Sequence, residues 1–142
     1  MTAQLPQAVA PIGAVAPVLR GACNRKDANN EGAWRRLILD FRTGPGIMNF
    51  VGGADLARYS QAGVVTPDHT IRTKNWPLVV AAPENGKMDH FKDAAPAAVK
   101  AFIEHYESYF PRQKARAVGV KKAPAPVPRC ELVPRPGRLG LG

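Results

Sequence analysis

One amphipathic period constrains this chain more than any other feature. Val99, Phe102, Ile103, Tyr106 and Phe110 recur at three- and four-residue spacing, which stacks apolar side chains on one face of a helix. Asp93 reads as its N-terminal cap, Pro96 suits its first turn, and Pro111 is its expected end. On this spacing the Phe102, Tyr106 and Phe110 stripe is a packing face and not a stacking platform. A helix of this kind needs a partner surface.

The candidates for that surface are short and aliphatic. Trp34 to Phe41 (WRRLILDF) is bounded by Thr43-Gly44-Pro45-Gly46 and has the length of a buried strand. Ile47 to Val51 reads as a second short strand. Trp76 to Ala82 is a third, with Pro77 at its start, where a missing N–H costs least. Ala54 to Gln61 carries Leu56 and Tyr59 on one side and reads as a short helix stopped by Gly63. The expectation is an α/β fold: a small, incomplete sheet of two to three strands with one long amphipathic helix and a shorter one. Too few strands are legible to complete such a sheet.

The ends read differently. Residues 1–33 hold Ala, Pro and Gly followed by the polar cluster Asn24 to Gly32, and are expected to form a loop-rich N-terminal arm. Residues 34–111 form the small α/β segment. Residues 112–142 are expected to be a basic Pro-rich linker or tail, because prolines at 124, 126, 128, 134 and 136 hold the backbone extended. Within it Cys130 to Val133 reads as an orphan strand.

Charge follows the same division. The net charge is +9, yet Arg112, Lys114, Arg116, Lys121, Lys122, Arg129, Arg135 and Arg138 all follow Pro111 and face one acid, Glu131, giving the tail +7. Such a tail binds nucleic acid at most nonspecifically and in a salt-sensitive way. No aromatic residue follows Phe110, so bases of a single strand would have nothing to stack on and specific recognition is not expected. Cys23 and Cys130 lie far apart without a CxxC, which signals neither a zinc site nor a disulfide framework. The N-terminus lacks the early positive charge of a signal peptide, and no apolar run approaches a membrane span. A cytoplasmic location with no membrane partner is the default.

The chemistry concentrates in VVTPDHTIRTK, Val64 to Lys74. His69 with Asp68 has the composition of a base and its orienter, while Arg72 and Lys74 offer a guanidinium fork and an ammonium to an anion. On an extended backbone neighbours point apart, so Asp68 does not automatically reach His69, and Arg72 and Lys74 share a face with Thr70. Two readings stand: a phosphate- or carboxylate-binding site made by Asp68, His69, Arg72 and Lys74, or a solvated polar turn. His90 and His105 lack partners at metal-ligand spacing, and no GxGxxG, GxxxxGK[ST] or GxSxG occurs.

Taken together, APVLRGA (Ala16 to Ala22), LILDFR (Leu37 to Arg42), GVVTPDHTIRTKNWPLVV (Gly63 to Val80), HYESYF (His105 to Phe110) and PRCELVP (Pro128 to Pro134) resemble the central segment of the bifunctional class II aldolase/short-chain dehydrogenase proteins. These are similar to rhamnulose-1-phosphate aldolase joined to alcohol dehydrogenase, and TPDHTIRTK is the most specific part. The resemblance implies a cytoplasmic sugar-catabolic enzyme that cleaves a ketose 1-phosphate with zinc and oxidises the resulting aldehyde with NAD. It also implies that the zinc ligands lie upstream of APVLRGA and the glycine-rich cofactor turn downstream of PRCELVP. This chain is therefore expected to be a fragment, without metal or cofactor sites of its own and inert alone, whose partners are the remaining domains and a sugar phosphate.

Overall fold

The computed structural model describes residues 10–27, 29–84, 86–116, 118–119, 125–134 and 137–141. In chain order their elements are helix α1 (Ile12–Ala22), strands β1 (Arg25–Lys26), β2 (Trp34–Arg35) and β3 (Leu39–Arg42), helices α2 (Pro45–Val51), α3 (Leu56–Tyr59) and α4 (Pro67–Thr73), strand β4 (Leu78–Val79), helix α5 (Met88–Lys114), and strands β5 (Cys130–Val133) and β6 (Gly137–Leu141). The class is α/β, as the periodicities imply. Four strands form the main sheet in the order β3-β6-β5-β4, and β1 pairs with β2 in a separate ladder.

Two of the four strands, β5 and β6, come from the tail. β5 runs antiparallel to β6 and parallel to β4, with Leu78 opposite Glu131 and Val79 opposite Leu132. Cys130–Val133 is thus an interior strand and not an orphan, and its prolines flank the pairing without interrupting it. Alternation along β5 then sorts its side chains to two faces. Val133 joins the larger core, with Val15, Leu19, Leu78, Phe91, Val99 and Phe102. Leu132 joins the smaller one, with Val51 and Leu56.

α5 carries the larger core. Phe91, Ala95, Val99, Phe102 and Tyr106 are its buried residues. It starts at Met88, one turn before the Asp93 cap expected from sequence, and the Asp89–Lys92 pair at 2.7 Å lies in its first turn. Pro111 does not end it. Proline's φ suits a helix, and the lost backbone bond and the crowding of the carbonyl one turn earlier fall in the last turn of α5. The last turn is held by the Ala115 N–H donating to Pro111 O at 3.0 Å and by Arg112 Nε donating to Ser108 O at 3.1 Å.

Three other expectations are corrected. The arm expected over residues 1–33 contains α1, whose Val15 and Leu19, with Cys23 just past its end, repeat every four residues and are all but fully buried. Burying each such aliphatic side chain is worth roughly 1.5–3 kcal/mol, which outweighs the single bond lost at the exposed Pro17 inside the helix. Ile47 to Val51, expected as a strand, is helical. Pro45 occupies its first turn, and the Met48 N–H donates to Gly44 O at 2.8 Å. The strand expected over Trp76 to Ala82 shortens to two ladder residues, extended by the Val80 N–H donating to Leu132 O at 3.1 Å.

Candidate functional site

The segment Val64 to Lys74 folds as a helix and not as an extended strand end. Thr66 has extended dihedrals at the N-cap, Pro67 takes the first position and Asp68 lies in the first turn, an order that starts helices. A Thr-Pro-Asp start signal was thus present in the sequence. The helix brings Asp68 and Arg72 together one turn apart, with Arg72 Nε donating to Asp68 Oδ2 at 3.0 Å, both side chains well exposed. His69 Nδ1 lies 2.7 Å from Thr66 Oγ1, and Thr73 Oγ1 donates to His69 O at 2.9 Å. Asp68, His69 and Arg72 therefore lie on the solvent side of α4.

Lys74 goes elsewhere. Its φ of 73° and ψ of 178° fall in a region that is essentially glycine's own, at a cost of about 1–3 kcal/mol for other residues. That turn sends the side chain inward. Lys74 is 5% exposed, and its ammonium sits 4.4 Å from the centre of the Tyr106 ring. Among the described residues no acid forms an ion pair with it. Burial, with the Arg129 charge as a smaller cause, pushes its pKa down to about 8.

The next two residues hold this conformation against the long helix. Asn75 Nδ2 donates to the Tyr109 hydroxyl, and Trp76 stacks on His105 at 4.6 Å while meeting Phe102 and Tyr109 edge-on. The aromatic stripe of α5 packs as expected from its spacing, and it also fixes Lys74. Sequence reading missed that second role because the contact spans 32 residues between Lys74 and Tyr106 and no local pattern marks it.

Lys74 lines a cleft of about 500 Å³ whose walls include Phe50, Tyr59, Trp76, Cys130 and Leu132. Phe50 and Tyr59 meet edge-on at 4.9 Å, and the Tyr59 hydroxyl donates to Phe50 O. The cleft is largely apolar with one lysine. Such a lining suits a ligand with an anionic end and an apolar or hydroxylated body.

A second polar feature lies across β5, on the face opposite Leu132. Glu131 is fully buried, burial pushes its pKa up to about 8, and its Oε2 has no hydrogen-bond partner among the described residues. Cys23 Sγ lies 3.9 Å from Oε1, and burial with the adjoining Glu131 pushes that thiol up to about 12. Burial favours the protonated form of both groups. Among the described residues no three His, Cys, Asp or Glu side chains come together as metal ligands, so these residues do not fit a zinc centre. No described helix is long and apolar enough to cross a membrane.

A four-stranded mixed sheet packed by one long helix, with a lysine held in a strained conformation at an apolar cleft, defines the class as an α/β domain. Residues 10–142 match the family described as aldolase class II, second domain, and the chain belongs to that family. It is also similar to the uncharacterized oxidoreductase YuxG of Bacillus subtilis (strain 168), with 26% identity over 132 residues. The match covers 92% of this chain and 18% of that protein, so the chain spans under a fifth of its relative. No solved structure matches.

Proposed function

We propose that this chain is a segment of a cytoplasmic, sugar-catabolic enzyme of the bifunctional class II aldolase/short-chain dehydrogenase type, such as rhamnulose-1-phosphate aldolase joined to alcohol dehydrogenase. In that reading other domains supply zinc and NAD, and this segment alone catalyses neither ketose 1-phosphate cleavage nor aldehyde oxidation. Its contribution is an anion-binding cleft that holds the phosphate or carboxylate end of a sugar-derived ligand. One observation carries this role: Lys74 keeps a glycine-like backbone conformation and a buried ammonium with no ion-paired acid among the described residues. Strain persists where the surroundings enforce it, and such positions cluster at ligand sites. The family match and the oxidoreductase name of the relative support the metabolic setting.

The test is titration of the chain with dihydroxyacetone phosphate, followed by amide and lysine side-chain NMR. Shifts at Lys74, Trp76 and Tyr59 are expected, and they disappear in Lys74→Met. Because the ammonium loses its proton as pH rises through about 8, binding weakens above that pH. Shifts confined to His69 and Arg72 would move the anion site to the surface of α4. Zinc-dependent cleavage of rhamnulose 1-phosphate, or NAD reduction with lactaldehyde, by the 142-residue chain would overturn the inert reading.

A further inference from the structure

A second cavity, of about 300 Å³, is lined by Cys23, Arg25, Arg35, Arg36, Val127 and Arg129 among others. Four guanidinium-bearing residues border one small concavity. β1 and β2 place Arg25 directly opposite Arg35, and like charges facing each other across strands destabilise the pairing. The ladder has two residues per strand and is closed by the Asp27 N–H donating to Ala33 O at 2.8 Å. Asp27 reaches Arg35 only at 3.9 Å, and Arg25, Arg36 and Arg129 form no ion pair among the described residues. Buried Glu131 forms no ion pair with them among the described residues, and its Oε1 lies 3.9 Å from Cys23 Sγ. Burial raises its pKa and so favours the uncharged carboxyl.

We infer that this arginine-lined cavity is a binding site for a small dianion whose two charged groups bridge the β1–β2 pair and the start of β5. Arg25, Arg35 and Arg36 are exposed, so water screens much of their mutual repulsion, and what favours a dianion is that it accepts forked hydrogen bonds from more than one guanidinium at once. The concave shape favours a small molecule over an extended polymer, whose phosphates need a long basic track. Diphosphate and short dicarboxylates share this chemistry. The site is separate from the Lys74 cleft, although Arg129 influences both.

Calorimetric titration of the chain at low ionic strength with inorganic pyrophosphate in one arm and malonate in the other tests the inference. Saturable binding is expected in at least one arm, and the tighter arm names the chemical source. Arg36→Gln, at an exposed position where folding is not at risk, should weaken it about tenfold or more. Lys74→Met should leave it unchanged, which separates this site from the cleft of the proposed function. The inference is overturned if neither anion binds saturably, if Lys100→Gln on the exposed face of α5 weakens binding as much as Arg36→Gln, or if a short single-stranded oligonucleotide displaces pyrophosphate at lower concentration than malonate does.

Discussion

α4 and β5 differ in both pattern and burial. The TPDHTIRT residues of α4 look like a functional motif, yet Asp68, His69 and Arg72 are exposed and bond within their own helix or its cap. The CELV residues of β5 sit between prolines in a basic tail and look like linker, yet Glu131, Leu132 and Val133 are all buried and the strand lies inside the sheet. Density of chemistry in sequence does not measure burial. A four-residue strand enters a core if its neighbours offer edges, and a charged helix stays outside it whatever its side chains could do.

One substitution made in both regions gives the sharpest break. Val133 is fully buried and Val65, just before α4, is 98% exposed. Val133→Asp buries an unpaired carboxylate and should cost at least about 4 kcal/mol, close to the whole stability of many domains. Val65→Asp should change stability by less than about 0.5 kcal/mol. Urea denaturation followed by circular dichroism measures both, and equal costs would mean that β5 is not in the sheet. Truncation after Pro111 removes two of the four main-sheet strands, so it should unfold the chain rather than trim a tail.

The next largest effect is expected from Glu131. Its folded pKa is raised from 4.5 to about 8, so the folded state holds this proton more tightly than the unfolded chain. Its contribution is therefore complete below about pH 4.5 and is lost as pH rises towards 8, by an amount on the order of a few kcal/mol. Glu131→Gln keeps the shape without the titration, and its stability should be flat across the same window. A parallel slope in both proteins would place the titrating group elsewhere.

How much of this was legible follows from the range of each interaction. The stripe of α5 is a local period, and it was readable from Val99 to Phe110. The helix starts at Thr66-Pro67-Asp68 and Gly44-Pro45 are also local, but chemistry-bearing residues in one case and an aliphatic run in the other carry the pattern of extended backbone. α1 hid behind Pro11 and Pro17, although Val15, Leu19 and Cys23 keep a four-residue spacing. Nothing local could reveal that β5 pairs with β4 more than 50 residues earlier, or that Arg25 and Arg35 meet Arg129 at one cavity. Lys74 was legible as a candidate by its charge. Its separation from Arg72 was not, because a single left-handed residue directs one side chain inward and leaves the other in water.

That separation gives a third prediction, smaller in energy. Lys74→Gly releases the strain of about 1–3 kcal/mol while giving up the contact with Tyr106 and accepting glycine's entropy cost, each about 0.5–1 kcal/mol. Stability should stay within about 1 kcal/mol of the parent. Lys74→Ala loses the contact and keeps the strain, so it should be the less stable of the two by about 1 kcal/mol in thermal unfolding. Alanine equal to or better than glycine would mean that the backbone at this residue is relaxed, and the case for a site held under strain would fall with it.

The smallest effect belongs to the segment that looks most functional. Asp68 and Arg72 make an exposed i,i+4 pair, and such pairs contribute about 0.3–0.5 kcal/mol that salt screens. Arg72→Ala should therefore shift the unfolding midpoint barely beyond error at low salt and not at all at high salt. The consequence for function runs the other way. If the anion cleft at Lys74 works alone, Arg72→Ala also leaves dihydroxyacetone phosphate binding intact. If binding fails while stability holds, Arg72 meets the ligand from the rim, and the exposed helix and the buried lysine act on one molecule from two sides. Stability would then have ranked the two residues in the opposite order from binding, because an exposed guanidinium contributes almost nothing to a fold until an anion gives it a partner.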